Sequence, residues 1–283
     1  MRNLKVYSDD AFTFHMHVVD HKRNRKDDVH YKERLVSYND KIKRQYDSYD
    51  ENYNGRSLEN ITGLDLSANE KNDLLGLYSY KSKAIQELKI RLTTSENNRV
   101  INTCQSCTVG EVNSLDHILP KDVFSEFSVN PKNLFPSCTK CNSFKVNSWL
   151  EGNQRIFLNL FCDELPNEQY LFVDTQITED NIQASFIIDN KYGIHPNVYN
   201  LIASHYRRLY LCERFAENSS EVITSLDNSI MPYTKMVSAA DIIGATKEKI
   251  AKDRATFGYN YWKSLLELSL IDNKDYLSRI FQN

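Results

Sequence analysis

Four of the six cysteines form two Cys-x-x-Cys pairs, Cys104/Cys107 and Cys138/Cys141. A tetrahedral Zn²⁺ ion binds four thiolates at about 2.3 Å, and one Cys-x-x-Cys turn supplies two of them. Two redox pairs are the alternative, but such pairs are typical beside a βαβ pattern, and none surrounds these cysteines. We therefore predict a structural Zn²⁺ ion that holds two distant parts of the chain together.

Three further polar residues lie close to these pairs. Asp116 and His117 are adjacent between the pairs, and Asn142 directly follows the second pair. Neutral imidazole suits a general base because its pKa lies near 6.5. A hard ion such as Mg²⁺ prefers oxygen ligands and keeps several waters, so one carboxylate and one amide oxygen are sufficient protein ligands. Phosphodiester hydrolysis needs both a base and positive charge beside the phosphate.

The secondary structure that positions these side chains is predicted from alternating polarity and from residues that end strands. Residues 115–119 alternate in polarity, which predicts a short strand that Pro120 ends. Residues 133–135 are predicted to return as a second strand, after a turn. Residues 142–150 are predicted to form a helix, with Leu150 among its inward positions. The expected order is strand, strand and helix around a small polar cleft.

The motifs run in the order Cys-x-x-Cys, Asp-His-x-x-Pro-Lys, Asn-Leu and Pro-x-Cys-x-x-Cys-Asn-x-x-Lys. This order resembles the HNH endonucleases of the ββα-metal, or His-Me finger, class, in the branch with four zinc-binding cysteines. The resemblance covers residues 100 to 150. It implies a structural Zn²⁺ ion, a catalytic Mg²⁺ or Mn²⁺ ion, and cleavage of DNA to 5′-phosphate and 3′-hydroxyl products.

The resemblance also implies a role for each polar residue. His117 is expected to be the general base, and Asp116 and Asn142 are expected to hold the catalytic ion. Asn133 is expected to brace the hairpin. The last histidine of the family's name is Asn142 here, which leaves the metal preference open.

Two lysines near these residues could bind a substrate, and two other functions are compatible with the same segment. Lys121 and Lys145 flank the polar residues and are candidates for binding neighbouring phosphates, although each is equally well explained as a solvated charge. An RNase would use the same residues. A zinc module that binds nucleic acid or protein without catalysis would need only the cysteines.

Composition places the chain among folded proteins without a membrane span. Apolar residues make up 41% of its 283 residues and charged residues 26%. Cys162 and Cys212 have apolar neighbours, so we expect reduced core thiols and a cytoplasmic protein. The net charge of −3 is unusual for a DNA-binding protein, so binding is expected to depend on local patches or on a partner. In size and motif the chain is similar to the HNH partner of the ATPase in Septu-type antiphage defence, which implies an ATPase partner.

The flanking regions are predicted to be mainly helical. Apolar positions at steps of three or four from Tyr31 to Tyr53 predict a helix that begins near Asp27 or Asp28 and ends near Gly55. Residues 22–44 contain nine Lys or Arg against four acids, and the interleaved tyrosines fit either a nucleic-acid surface or a core. A capping box at Ser67 begins a second helix that is predicted to reach Leu92. His15, His17 and His21 are close together but have no partner at metal-ligand spacing.

The C-terminal part is predicted to combine one hairpin with further helices. Residues 170–174 and 182–189 predict the hairpin, and residues 197–216, 238–254 and 259–271 predict helices. Residues 156–190 contain no Lys or Arg, so they are not expected to face DNA.

The predicted fold is therefore mainly α, in the α+β class, with helical flanks around a central zinc-bound ββα module and one small hairpin. The predicted regions are 1–98, 99–152 and 153–283.

Overall fold

The computed structural model describes residues 1–95, 97–179 and 181–281. Over these residues the helices are α1 Ala11–Asp20, α2 Tyr31–Ser37, α3 Asn39–Asn54, α4 Ala68–Leu75, α5 Lys83–Thr93, α6 Thr139–Lys145, α7 Pro196–Arg208, α8 Leu211–Glu217, α9 Ser219–Ile230, α10 Ala239–Phe257, α11 Trp262–Ile271 and α12 Lys274–Phe281. The strands are β1 Ser114–His117, β2 Leu134–Ser137, β3 Leu150–Glu151, β4 Gln154–Arg155, β5 Leu171–Ile177 and β6 Ile182–Ile188. They pair as antiparallel hairpins, β1 with β2, β3 with β4 and β5 with β6. A mainly α fold with some β structure is confirmed.

The described residues form two compact units. One unit comprises Asn3–Ser106 and Gly110–Asp163, and the other comprises Met1–Arg2, Cys107–Val109 and Glu164–Asn283. We call them the N-terminal and C-terminal units. Among the described residues, no helix combines the length and the apolar character that crossing a bilayer requires.

The periodic apolar positions from Tyr31 to Tyr53, which we call the tyrosine stripe, contribute to the core of the N-terminal unit. Its buried members are Tyr31, Leu35, Tyr38, Ile42, Tyr46 and Tyr49. The hydroxyl of Tyr49 donates to the carbonyl of Lys132 at 3.1 Å, so the ring is buried without leaving its polar end unpaired. The predicted single helix is two helices, α2 and α3. Its start is later than expected because residues 25 and 28 exchange backbone hydrogen bonds in a reverse turn.

The capping box at the start of α4 is confirmed, but the helix is much shorter than predicted. The Ser67 hydroxyl accepts from the Glu70 amide, and the Glu70 carboxylate accepts from the Ser67 amide. The helix ends at Leu75, and α5 begins only at Lys83. At Gly76 the chain passes close to α2 and the loop before it, because a Cβ there would lie 2.6 Å from the Arg25 guanidinium. Only glycine fits this approach without displacing its neighbours.

The predicted hairpin and helices of the C-terminal unit are present with altered bounds. β5 pairs with β6 from Leu171 opposite Ile188 to Ile177 opposite Ile182. The predicted helix over residues 197–216 is α7 and α8, separated at Tyr210, which has a φ of 52°. That left-handed conformation is costly for a residue with a Cβ and cannot continue a helix.

The α11 helix packs the C-terminal unit around one tryptophan. Trp262 is fully buried, its ring stacks on Phe215 at 5.1 Å, and its edge meets Phe186 at 6.0 Å. Aromatic rings of this size contribute much of the apolar area that a small unit can bury. This unit therefore has an apolar core of its own.

Candidate functional site

The sulfur atoms of Cys104, Cys107, Cys138 and Cys141 lie within 4.8 Å of one another. All four cysteines are at most 4% exposed. A tetrahedral Zn²⁺ ion would hold its sulfurs about 3.8 Å apart, so a small contraction of the cluster would complete the ligand set. The buried thiol cluster can therefore bind a metal ion such as zinc. In the described part of the chain, no other group of three or more His, Cys, Asp or Glu side chains is this compact.

Local contacts bring the cysteines of the N-terminal unit into position. The amide of Cys104 donates to the carbonyl of Gly110 at 2.8 Å, which closes the chain around the first Cys-x-x-Cys pair, the first knuckle of the cluster. Gly110 packs on Cys138 so closely that a Cβ there would lie 3.1 Å from the Cys138 sulfur. Cys138 is the N-cap of α6, and its sulfur accepts from the Cys141 amide at 3.4 Å. The second knuckle is thus also the start of a helix.

The β1–β2 hairpin and the helix α6 lie beside the cysteine cluster. In the hairpin Ser114 faces Ser137 and His117 faces Leu134, and α6 packs against β1. The helix occurs, but the predicted bounds of 142–150 are wrong. It begins at Thr139 because Cys138 caps it. It ends at Lys145 because Val146 has a φ of 48°, and Leu150 belongs to β3.

His117 is buried and held in one orientation. Its Nε2 lies 2.9 Å from the carbonyl oxygen of Ser128. A carbonyl only accepts hydrogen bonds, so this contact assigns the proton to Nε2 and leaves a lone pair on Nδ1. The ring of Tyr78 packs edge-on against the imidazole, with 4.7 Å between centroids. Burial lowers the pKa of His117 to about 3, which keeps the ring neutral at pH 7.

Asp116 forms an ion pair with Lys145, which is itself buried. The Lys145 ammonium lies 3.1 Å from Oδ1 of Asp116 and also donates to the backbone carbonyl of His117. Burial raises the pKa of Asp116 above its usual range, and the Lys145 ammonium lowers it by a smaller amount. The sequence makes Lys145 a candidate phosphate ligand, whereas in the structure its ammonium contacts the carboxylate of Asp116.

Asn133 connects the two ends of the hairpin loop. Its side-chain oxygen accepts from the Leu119 amide at 2.7 Å, and its side-chain nitrogen donates to the Leu119 carbonyl at 3.0 Å and to the Phe127 carbonyl at 3.3 Å. The residue is fully buried. The Tyr49 hydroxyl also donates to the side-chain oxygen of Asn133 at 3.5 Å. Most hydrogen bonds of the Asn133 side chain are therefore with backbone on the two arms of the loop, which suits a bracing residue.

Asn142 and Lys121 lie nearer to solvent. Asn142 is half-buried and lies three residues before Lys145 on α6, the helix that packs against β1. An amide oxygen and a carboxylate on facing elements suit a hard divalent cation. Lys121 is partly exposed and pairs with the adjacent Asp122 at 3.0 Å.

Two contacts of His117 are not predicted from the sequence. Ser128 acts through its backbone, which no side-chain motif reveals. The helical spacing predicts Tyr78 within a continuous helix, but α4 ends before it, and Gly76 is the residue in the sequence that signals this end.

No protein-family model matches the chain, and no solved structure matches it significantly. Among curated proteins the chain is similar to Protein ea31 of Escherichia phage lambda, with 27% identity over 192 residues. The match covers 62% of this chain and 64% of the phage protein, so the chain spans less than two thirds of that relative.

Loss of one cysteine should abolish metal binding. We expect Cys141→Ser to lower bound zinc from about one ion per chain to near zero and to make unfolding insensitive to a chelator, because structural zinc stabilises the fold through four thiolates. Elemental analysis and thermal unfolding with and without the chelator measure both effects. Cys162→Ser, at a half-buried cysteine outside the cluster, should retain the metal. Equal zinc content in the two variants would contradict a four-cysteine site.

Loss of Lys145 should be costly for folding. Lys145→Met leaves the carboxylate of Asp116, only 15% exposed, without this cation, so we expect the free energy of unfolding to fall by about 3–5 kcal/mol. Lys121→Met removes a partly exposed pair and should cost about 0–1 kcal/mol. Urea unfolding of both variants tests the difference. A similar loss in the two would mean that the buried pair contributes little.

Proposed function

We propose that the chain is a metal-dependent endonuclease of the HNH type that hydrolyses DNA phosphodiester bonds. One observation carries the proposal. A hairpin and a helix begin beside the cysteine cluster, and Lys145 of that helix contacts both the carboxylate of Asp116 and the backbone carbonyl of His117 at the end of β1. This combination of a compact thiol cluster, an oriented imidazole and a buried carboxylate is what the resemblance to HNH endonucleases requires.

His117 is proposed as the general base. The Ser128 carbonyl holds Nε2–H, so Nδ1 is the nitrogen that accepts the proton of the attacking water. With a pKa of about 3, the resting imidazole is a weak base. An anionic phosphate beside the ring would stabilise the imidazolium form and raise that pKa toward the working pH. Substrate binding would thereby strengthen the base that acts on it.

The oxygen ligands of Asp116 and Asn142 are proposed to hold a divalent cation, Mg²⁺ or Mn²⁺. When bound, such an ion neutralises charge on a non-bridging phosphate oxygen and on the leaving 3′-oxygen. The water oxygen forms a bond to phosphorus as the bond from phosphorus to the 3′-oxygen breaks. The 3′-oxygen takes a proton from solvent, which gives a 5′-phosphate and a 3′-hydroxyl.

Replacement of His117 tests the reaction directly. Purified wild type should nick supercoiled plasmid in Mg²⁺ or Mn²⁺, and His117→Ala should nick it at least about a hundredfold more slowly, since the base is lost. Asp116→Asn should be impaired as well. His195→Ala, at an exposed histidine of the C-terminal unit, is the matched control and should retain activity.

The same assay separates the other functions. Parallel reactions on RNA of matched sequence distinguish an RNase from a DNase, because both would depend on His117. A non-catalytic zinc module would cleave neither substrate with any divalent ion. Thermal unfolding and zinc content of each variant show whether a loss of cleavage reflects chemistry or misfolding. Nicking by His117→Ala at the wild-type rate would refute the assignment.

An ATPase partner and a cytoplasmic location belong to the same proposal. The net charge of −3 supports a partner, since a separate subunit can supply the positive surface that DNA binding requires. Affinity purification of the chain from its native host, followed by gel filtration, should recover an ATPase in the same fraction. Elution of active chain at the mass of a single copy would contradict the partner.

A further inference from the structure

A strongly basic loop joins α1 to α2. We call residues 22–26 the basic loop. It contains four cationic residues in five positions, and Arg23, Arg25 and Lys26 are exposed. Of the two acids that follow, Asp28 is paired with Arg34 at 2.6 Å, and so its charge is already offset. The local excess of positive charge stands out in a chain whose net charge is −3.

The basic loop is anchored to the segment that joins α4 to α5. We call residues 76–82 the tyrosine loop. The Lys22 ammonium donates to the Gly76 carbonyl at 2.7 Å, and the Arg25 guanidinium stacks over the Tyr31 ring at 3.9 Å. Arg25 also contacts Gly76, where no side chain intervenes. The loop is therefore held in place by packing and hydrogen bonds.

The tyrosine loop connects this anchor to the candidate site. Tyr78, two residues after Gly76, packs against His117 with 4.7 Å between ring centroids, and its hydroxyl donates to the Leu115 carbonyl at 3.1 Å. Two residues span at most about 7 Å, which puts the basic loop on the order of 15 Å from the imidazole. Exposed Lys81 and Lys83 follow on the other side of Tyr78. Cationic residues therefore both precede and follow, along the chain, the tyrosine that packs against His117.

We propose that the basic loop binds the phosphate backbone of the DNA whose scissile phosphate lies at His117. This inference rests on the proposed function and names the surface that holds its substrate. Half a turn of duplex spans about 17 Å, so one molecule of DNA can contact His117 and the basic loop at once. Lys and Arg side chains that neutralise phosphates release counterions, which makes such binding dependent on salt and independent of sequence.

Binding measured without cleavage tests the proposal. The probe is a fluorescein-labelled DNA duplex of about three helical turns, titrated with protein at several KCl concentrations without added divalent ions. In a His117→Ala background, Arg23→Gln/Arg25→Gln/Lys26→Gln should bind at least about tenfold more weakly near 0.1 M salt. The slope of log K against log salt should become shallower by about 2 to 3, or about 0.9 for each lost contact.

A matched control separates local contacts from overall charge. Lys235→Gln/Lys252→Gln/Lys274→Gln removes three exposed lysines of the C-terminal unit and changes the net charge equally. It should bind DNA within about twofold of the parent and keep its salt slope. Arg23→Gln/Lys26→Gln leaves the Arg25–Tyr31 contact intact. If the triple variant is folded and weakens binding only by losing charge, this double variant should show about two thirds of the change in salt slope.

Several outcomes would overturn the proposal. One is a triple variant that binds the duplex with the affinity and salt slope of its parent, since the basic loop would then be a solvated surface or a site for an acidic protein. Another is a parent that does not bind DNA at all. Because no cleavage is measured, the plasmid assay can fail or succeed independently, and the two conclusions remain distinguishable.

Discussion

Burial of four sulfur atoms within 4.8 Å of one another is the constraint on which the candidate site depends. Cys138 belongs to this cluster, directly follows β2 and caps α6, so one residue relates the hairpin, the helix and the cluster. The pairing of Ser114 with Ser137 then sets the position of β1. Successive side chains of a strand point to opposite faces of the hairpin. A shift of the strand pairing by one residue would therefore exchange the faces on which Asp116 and His117 lie.

Burial dominates the electrostatics of the site. It raises the pKa of Asp116 and lowers that of His117, and in both cases it disfavours the charged form. Lys145 opposes this effect at Asp116 but does not outweigh it. Titratable groups with such shifts cluster at functional sites, because a dry, pre-oriented environment strengthens every interaction with a charged substrate. The backbone contacts of Asn133 and Ser128 help to hold this unfavourable arrangement in place.

Charge is unevenly distributed along the chain, and this bears on how a weakly acidic chain could act on a polyanion. Four cationic residues lie in the five positions of the basic loop, whereas residues 156–190 contain no Lys or Arg. Negative side chains repel a phosphate backbone that lies within the screening length, which is about 10 Å at 0.1 M salt. Net charge is therefore a poor guide here, and the local distribution is the relevant quantity.

The sequence by itself determined the features that depend on neighbouring residues. The two Cys-x-x-Cys spacings, the Ser67 capping box, the buried tyrosine stripe and the β5–β6 hairpin all follow from periodicity or from covalent spacing within a few residues. The order strand, strand, helix around Asp116 and His117 follows in the same way. Its bounds do not, because the thiol cap at Cys138 and the left-handed Val146 set them.

Only the tertiary structure decided which distant groups meet. Tyr78 reaches His117 across 39 positions because the chain turns at Gly76, and Lys145 reaches Asp116 because α6 packs on β1. The basic loop contacts Gly76, two residues before the tyrosine that packs on the imidazole. No local pattern encodes these contacts, since each depends on the path of the whole chain and on which polar groups must find partners once they are buried.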